Sequence, residues 1–254
     1  MVYLESLHKL KIFRKQDIVA LTGSENAAKE LLRQYKKQRL ISQIRRDMYV
    51  ANDLDTKTSL VSKFEIAGSI TPTSYLSHHA AMEYYGVANQ VFYEMSVSSV
   101  ETFRNFDFEG ITYTFCKSPS EVGVVTPVAD FRVRITDMER TIIDCINRID
   151  LCGGLEELVQ CLSSITYVKE TKLWQYLTAL DKQILYQKTG FILSYFQKEM
   201  RLNNDFFAVC KSKIGKSTGY LTDKTESDTY FKNWKLCAPE NILSFLEQGG
   251  GEYV

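Results

Sequence analysis

The chain has 254 residues, of which 44% are hydrophobic and 24% are charged. These are ordinary values for a folded protein, so the composition argues against extensive disorder, and the length suits one large or two ordinary domains. No apolar stretch approaches the ~18 residues that a membrane span needs, and residues 1–5 lack the basic start of a signal peptide. We therefore expect a cytoplasmic protein with no membrane partner.

The formal net charge is +0, but the charges are unevenly distributed. Residues 1–50 contain 11 Lys or Arg and 5 Asp or Glu, and the remaining 204 residues cancel this surplus of +6. A basic segment joined to an acidic remainder is typical of a small nucleic-acid-binding module attached to another domain.

The N-terminal segment predicts three helices. Short apolar patterns favour helices over residues 4–10 and 16–22, and Gly23 can end the second because glycine tolerates positive φ. Ser24 is a good N-cap for a third, amphipathic helix over residues 25–38. The apolar face of that helix comprises Ala28, Leu31, Leu32 and Tyr35.

A basic-tipped hairpin follows the third helix. Apolar and polar residues alternate over residues 40–50, and Arg45, Arg46 and Asp47 form the charged turn. A winged helix-turn-helix has this order of elements: two helices, a capped basic helix and then a hairpin. We therefore assign a winged helix-turn-helix to residues 1–52.

The third helix is then expected to enter the major groove of double-stranded DNA. Asn26 suits adenine and Lys29 suits guanine, whereas the other cations suit phosphate. A single Lys or Arg is more often just a solvated surface residue, so this prediction depends on the whole arrangement. The candidate DNA contacts are Ser24, Asn26, Lys29, Arg33, Lys36, Lys37, Arg45 and Arg46.

The rest of the chain predicts an α+β domain over residues 53–211 and a partly irregular extension over 212–254. Helices are expected near residues 58–67, 77–85, 155–162, 170–180, 183–186, 191–201 and 204–210, and strands near 91–98, 111–116 and 131–135.

Thr136 is expected to cap one further helix. Glu139 lies three residues later, which completes a capping box, and Arg140 and Asp144 have the i,i+4 spacing of a surface ion pair.

Four segments resemble the AbiEi family, the antitoxins and regulators of bacterial type IV abortive-infection systems. They are the winged-helix segment 13–50, Ser74 to Gly86, Ile135 to Asp144 and Thr189 to Phe196. The third is the most specific, since it is similar to the family's T-x-x-E-R-T-x-I-D stretch. The resemblance spans about residues 5–210 and has no counterpart in the last forty residues.

This resemblance implies a non-enzymatic repressor of its own operon that binds inverted repeats. It also implies a C-terminal domain that opposes a nucleotidyltransferase-like toxin functionally, without a stable complex. A stand-alone regulator that has no toxin is the other form that the resemblance allows.

The sequence gives little support to catalysis, and we expect no cofactor. The six cysteines lack zinc-ligand spacing, His78 and His79 have no third ligand nearby in sequence, and Gly215 lacks the preceding strand of a phosphate loop. Two alternatives stay open: a metal-dependent nuclease or transferase using Asp130, Asp137, Glu139 and Asp144, and a protein-interaction module without DNA binding.

Overall fold

The computed structural model describes residues 3–118, 120–128, 130–223 and 228–248. Helices and strands are mixed along the chain, which confirms the predicted α+β class. The chain folds into two compact units, each assembled from separate segments. Unit 1 comprises Met1–Leu76, Tyr93–Glu121 and Thr126–Arg134, and unit 2 comprises Ser77–Phe92, Val122–Val125 and Ile135–Val254.

Unit 1 contains a small three-stranded sheet and a second group of strands. The small sheet has the order β1-β3-β2, and the other strands of this unit are hydrogen-bonded in the order β6-β7-β5-β4. The elements are α1 (Leu4–Leu10), β1 (Ile12–Phe13), α2 (Lys15–Thr22), α3 (Glu25–Lys37), β2 (Ile41–Arg45), β3 (Met48–Ala51), α4 (Lys63–Gly68), β4 (Tyr75–Leu76), β5 (Glu94–Ser99), β6 (Phe106–Phe108) and β7 (Ile111–Lys117).

The break between α2 and α3 forms where the sequence predicts it. Gly23 has a φ of 79° and donates its N–H to the Val19 carbonyl at 2.8 Å, which ends α2. The hydroxyl of Ser24 accepts the Ala27 N–H at 3.2 Å and caps α3. The inner face of α3 then packs into the apolar core of unit 1, which also contains Leu7, Phe13, Ile18, Ala28, Leu32 and Tyr35.

Segments beyond residue 52 belong to the same unit. The Arg14 guanidinium donates to the carbonyls of Ser69 at 3.1 Å and Ile70 at 3.0 Å. The backbone of Gly68 lies so close to Arg132 that a Cβ on the glycine would be 2.9 Å from the Arg132 carbonyl oxygen. These long-range contacts have no signal in a local pattern.

Two expected elements of this region are shorter than predicted. The helix expected from residue 58 begins at Lys63, because Ser62 and Glu65 form a capping box there. The strand expected over residues 131–135 is limited to Ile135–Thr136, which lies in unit 2.

Unit 2 is mainly helical and encloses an apolar core that includes Leu158, Leu177, Phe191 and Phe206. Its elements are α5 (His78–Tyr84), β8 (Val124–Val125), β9 (Ile135–Thr136), α6 (Met138–Asn147), a 3₁₀ helix (Ile149–Cys152), α7 (Leu155–Ser163), α8 (Glu170–Leu180), α9 (Gln183–Ser194), α10 (Asn204–Ser212), β10 (Gly219–Tyr220), β11 (Thr229–Phe231), β12 (Leu236–Ala238) and α11 (Ser244–Gln248).

The end of the chain is more regular than expected. The helix predicted over residues 183–186 and the first four residues of that predicted over 191–201 belong to the single helix α9, which has Gly190 inside it and ends at Ser194. Residues 195–201 form turns instead of the expected continuation of the helix. The region beyond residue 211 contains a small sheet in the order β10-β12-β11, and Trp234 between two of its strands packs against Gly190. Residues 249–254 of the expected extension lie outside the described part of the chain.

Candidate nucleic-acid interface

The outward face of α3 carries the side chains that the sequence analysis assigned to DNA. Asn26, Lys29, Arg33, Lys36 and Lys37 are all exposed. Their spacing of three or four residues places them along one side of the helix, opposite the buried face. The backbone therefore presents these five side chains as one continuous surface, which we call the α3 face.

Ser24 precedes this surface and is also exposed. Its Oγ already accepts the Ala27 N–H, so only the hydroxyl proton can be donated to a ligand such as a phosphate oxygen. The residue thus has a structural role in starting α3 together with any role in binding.

An acidic residue in the α3 face was missed in the sequence analysis. Glu30 accepts hydrogen bonds from Arg33 Nε at 2.9 Å and Nη2 at 2.6 Å, and from Gln34 Nε2 at 2.9 Å. Hydrogen bonding by Arg33 is the main cause that lowers the pKa of Glu30 to about 2, so this carboxylate is ionised at neutral pH. The i,i+3 spacing of the two residues is the sequence signal for this pair.

The far end of α3 contacts the hairpin formed by β2 and β3. Lys36 Nζ donates to Gln43 Oε1 at 3.0 Å, and Gln43 lies on β2. This bond holds the Lys36 ammonium between the end of α3 and the hairpin. The side chains of Lys36 and Gln43 are both exposed.

The hairpin tip is fixed to the beginning of α2. Asp47 has a φ of 59°, a left-handed conformation that aspartate tolerates in turns. Its Oδ1 accepts the Lys15 N–H at 3.0 Å. The neighbouring Arg46 is exposed at this tip and is free to extend into solvent or toward a ligand.

Arg45 is placed differently from Arg46. It is half-buried, and its guanidinium carbon lies 5.7 Å from the ring centroid of Phe103 and 5.3 Å from that of Phe106. Burial, followed by the charge of Arg14, lowers the pKa of this arginine. Stacking on two aromatic rings explains its position, and we therefore leave Arg45 out of the interface despite the expectation that it contacts phosphate.

Two further cations lie close to the hairpin. Arg39 is exposed, and together with Lys36 and Lys57 it lines a polar cleft of about 550 Å³ beside β2. Arg39 follows the predicted end of the third helix and Lys57 precedes the helix expected from residue 58, so the sequence pattern assigned neither to the interface. The cleft extends the positive surface beyond the α3 face.

Unit 2 contains a second polar cluster, at the beginning of α6. Asp137, rather than the expected Thr136, is the N-cap, since its Oδ1 accepts the Arg140 N–H at 2.9 Å. The other carboxylate oxygen of Asp137 accepts from Lys172 Nζ at 2.7 Å and from the Tyr176 hydroxyl at 2.6 Å. Thr136 belongs instead to β9.

The expected Arg140–Asp144 ion pair is present but buried. Arg140 Nε lies 2.8 Å from Asp144 Oδ1, and each side chain is only 9% exposed. Arg140 Nη1 donates to the Val122 carbonyl at 2.7 Å, and Glu139 accepts the Lys169 N–H at 2.8 Å. The side chains of Asp137, Glu139, Arg140 and Asp144 therefore form a hydrogen-bonded network in the interior of unit 2.

This network leaves little free capacity for the acidic metal site that was considered from the sequence. Asp137, Glu139 and Asp144 each accept hydrogen bonds from cationic side chains or backbone N–H groups, and Asp130 belongs to unit 1. Gly215 follows helix α10 rather than a strand, in agreement with the rejection of a phosphate loop.

The fold defined by these units is a two-unit α+β arrangement. No family model matches the chain, and no curated protein matches it. A solved structure is similar: the crystal structure of the RV2827C protein from Mycobacterium tuberculosis, with a TM-score of 0.66 and 10% identity, covering 97% of this chain and 93% of that chain. At this identity the likeness concerns the fold alone. Within the described residues, no helix combines the length and apolar character needed to cross a membrane.

Proposed function

We propose that residues 1–52 form a winged helix-turn-helix that binds double-stranded DNA, and that the chain represses its own operon. The observation that carries the proposal is the exposed α3 face, which projects from an arrangement ordered α1-β1-α2-α3-β2-β3. In winged helices with this order, the third helix is the reading helix and the hairpin is the wing.

In this proposal α3 lies in the major groove. Asn26 and Lys29, near the beginning of the helix, contact base edges. Arg33, Lys36, Lys37 and Arg46 contact phosphates, and Ser24 donates its hydroxyl proton to a phosphate at the helix N-terminus. Each phosphate contact contributes to affinity on every sequence, whereas Asn26 and Lys29 discriminate between sequences.

The resemblance to the AbiEi family extends this proposal to the operator and the partner. The operator is an inverted repeat in the promoter of the chain's own operon. Unit 2 opposes a nucleotidyltransferase-like toxin through a functional effect rather than a stable complex, and the protein acts without catalysis or cofactor. The buried network at Asp137, Arg140 and Asp144 supports a structural contribution of the resembling segment.

Fluorescence anisotropy of the full chain tests the DNA-binding proposal. The chain is titrated on its own upstream DNA and on a scrambled duplex, from about 50 to 200 mM salt. We expect binding to the upstream DNA to be tighter by about 10³ or more. Arg33→Ala should weaken binding to both duplexes and reduce the salt slope by about one.

Lys198→Ala is a matched control, because Lys198 is an exposed lysine of unit 2 outside the α3 face. It should leave both the affinity and the slope unchanged. Binding that is absent even at low salt would reject the proposal and favour a protein-interaction module. Unchanged affinity in Arg33→Ala would reject the assignment of the α3 face.

A further inference from the structure

A buried cluster in unit 2 combines three different metal-binding side chains. His79 Nε2 lies 3.0 Å from Glu157 Oε1, and Cys161 Sγ lies 3.4 Å from the same oxygen. One donor atom from each residue lies within 4.8 Å of the other two. The exposed fractions are 4% for His79, 1% for Glu157 and 0% for Cys161, so the cluster is shielded from water.

Two helices bring these residues together. His79 is the second residue of α5, whereas Glu157 and Cys161 are four residues apart on α7 and therefore share one face of that helix. The ring of Phe92 packs on the imidazole with a centroid distance of 4.1 Å and covers it. His79 and Glu157 are separated by 78 positions, which is why a search for short ligand spacings does not find them.

Only one oxygen of the Glu157 carboxylate, Oε1, has hydrogen-bond partners among the described residues. Its Oε1 also accepts the backbone N–H groups of Asn89 at 2.9 Å and Gln90 at 3.0 Å. Its Oε2 is buried and has no hydrogen-bond partner among the described residues. A buried carboxylate oxygen without a partner costs free energy, and a cation beside it would offset that cost.

We propose that unit 2 binds one zinc ion through His79, Glu157 and Cys161. Zinc favours four ligand atoms of nitrogen, sulfur and oxygen type, and the unpartnered Oε2 of Glu157 can supply the fourth beside Oε1. The ion would join α5 and α7, while the N–H groups of Asn89 and Gln90 orient the ligating carboxylate. This inference is independent of the DNA-binding proposal.

Zinc binding at these residues releases protons. The Cys161 thiol loses its proton to solvent and binds as thiolate, and Glu157 binds as carboxylate. The hydrogen on His79 Nε2 that faces Glu157 moves to Nδ1 or to solvent, which frees Nε2 for the metal. Zinc affinity should therefore fall as the pH is lowered.

Metal analysis of the full chain tests the proposal. We expect protein made in zinc-supplemented medium to contain about one zinc per chain, measured by inductively coupled plasma mass spectrometry. Cys161→Ser should contain less than about a tenth of that amount, because a serine hydroxyl is a poor ligand for zinc. Cys210→Ser is the matched control, since Cys210 is a buried cysteine of the same unit outside the cluster.

A titration with Co²⁺ makes the test independent of how the protein was produced. Chelator-treated wild type should bind about one Co²⁺ and develop a thiolate-to-cobalt charge-transfer band, and the band should be absent in Cys161→Ser. Circular dichroism verifies that each variant is folded. Folded wild type that contains no zinc and develops no cobalt band would overturn the proposal, as would equal zinc contents in wild type and Cys161→Ser.

Discussion

Arg33 and Glu30 form a two-point ion pair on the exposed face of α3, with Nε and Nη2 of the arginine 2.9 and 2.6 Å from the two carboxylate oxygens. The side chains are 68% and 49% exposed, so water screens the pair and its contribution to stability is small. Its effect on a ligand is larger, because the carboxylate repels phosphate and competes with it for the arginine.

Glu30→Gln should therefore strengthen DNA binding. The substitution removes one negative charge from the α3 face and releases Arg33, so we expect affinity to rise by about 3- to 10-fold and the salt slope to steepen by up to about one. Anisotropy across the salt series measures both quantities. Glu199→Gln, at an exposed acid of unit 2, is the control. Weaker binding by Glu30→Gln would argue that the carboxylate itself contacts a base.

Asn26→Ala should reduce discrimination between DNA sequences. A lost bidentate contact costs about 1–3 kcal/mol at one base pair and leaves phosphate contacts intact. The affinity for the upstream DNA should fall by about 10- to 100-fold, whereas that for the scrambled duplex should stay within a factor of about two. An equal loss on both duplexes would show that Asn26 does not contact a base edge.

Arg45 and Arg46 are adjacent, but their substitutions should have different effects. Arg45→Ala removes the cation from the rings of Phe103 and Phe106 and should reduce the free energy of unfolding by about 1–2 kcal/mol. Arg46→Ala should reduce DNA affinity and leave stability within about 0.5 kcal/mol. Urea denaturation and anisotropy of both variants distinguish the two roles. The reverse outcome would return Arg45 to the interface.

Tyr176→Phe should destabilise unit 2. The hydroxyl donates to Asp137 at 2.6 Å, and the loss of a hydrogen bond to a charged group costs about 1.5–3 kcal/mol. Thermal or urea unfolding at neutral pH measures this loss. A stability change below about 0.5 kcal/mol would show that the Asp137 carboxylate is satisfied by its other donors.

Tyr176 should also affect the alkaline limit of stability. Burial, together with the hydrogen bond to Asp137, raises the pKa of Tyr176 above its ordinary value of 10.0. The folded chain then retains this proton where the unfolded chain loses it, so the contribution is present below pH 10.0 and is lost as the pH rises through the raised pKa. Wild type should therefore lose more stability than Tyr176→Phe between about pH 9 and 11.

Gly190→Ala reports on the packing of Trp234. Alanine favours a helix over glycine by about 1 kcal/mol, so propensity alone predicts a more stable protein. A Cβ at position 190, however, would overlap the six-membered ring of Trp234, and overpacking of this kind costs about 1–3 kcal/mol. We expect a net destabilisation, which Trp234→Leu should reduce in the double variant. A stabilised Gly190→Ala would show that the indole moves aside readily.

Local chemistry allowed much of the N-terminal segment to be predicted. Gly23 and Ser24 mark the end of one helix and the start of the next because turn conformation and capping depend on a few neighbouring residues. The face of α3 follows from helical periodicity alone. The same periodicity overlooked Glu30, since a carboxylate and a cation count equally as exposed polar residues.

Positions that depend on distant residues could not be predicted. Arg45 is half-buried because Phe103 and Phe106 lie beneath it, more than fifty positions later in the chain. The Arg140–Asp144 pair has the spacing of a surface pair, but the polarity of its residues gave no sign of the burial that the structure reveals. Long-range packing also places the Trp234 ring against Gly190 in α9, a contact that no local pattern indicates.

The segmented composition of unit 1 has a consequence for synthesis on the ribosome. Its last segment, Thr126–Arg134, emerges about 80 residues after the hairpin that follows α3. At ~5–20 residues per second, translation leaves the N-terminal helices without these partners for roughly 4–16 s. A nascent or truncated chain ending near residue 52 would lack the Ser69 and Ile70 carbonyls that hold Arg14. Expression vectors designed around this module should therefore extend at least to Arg134.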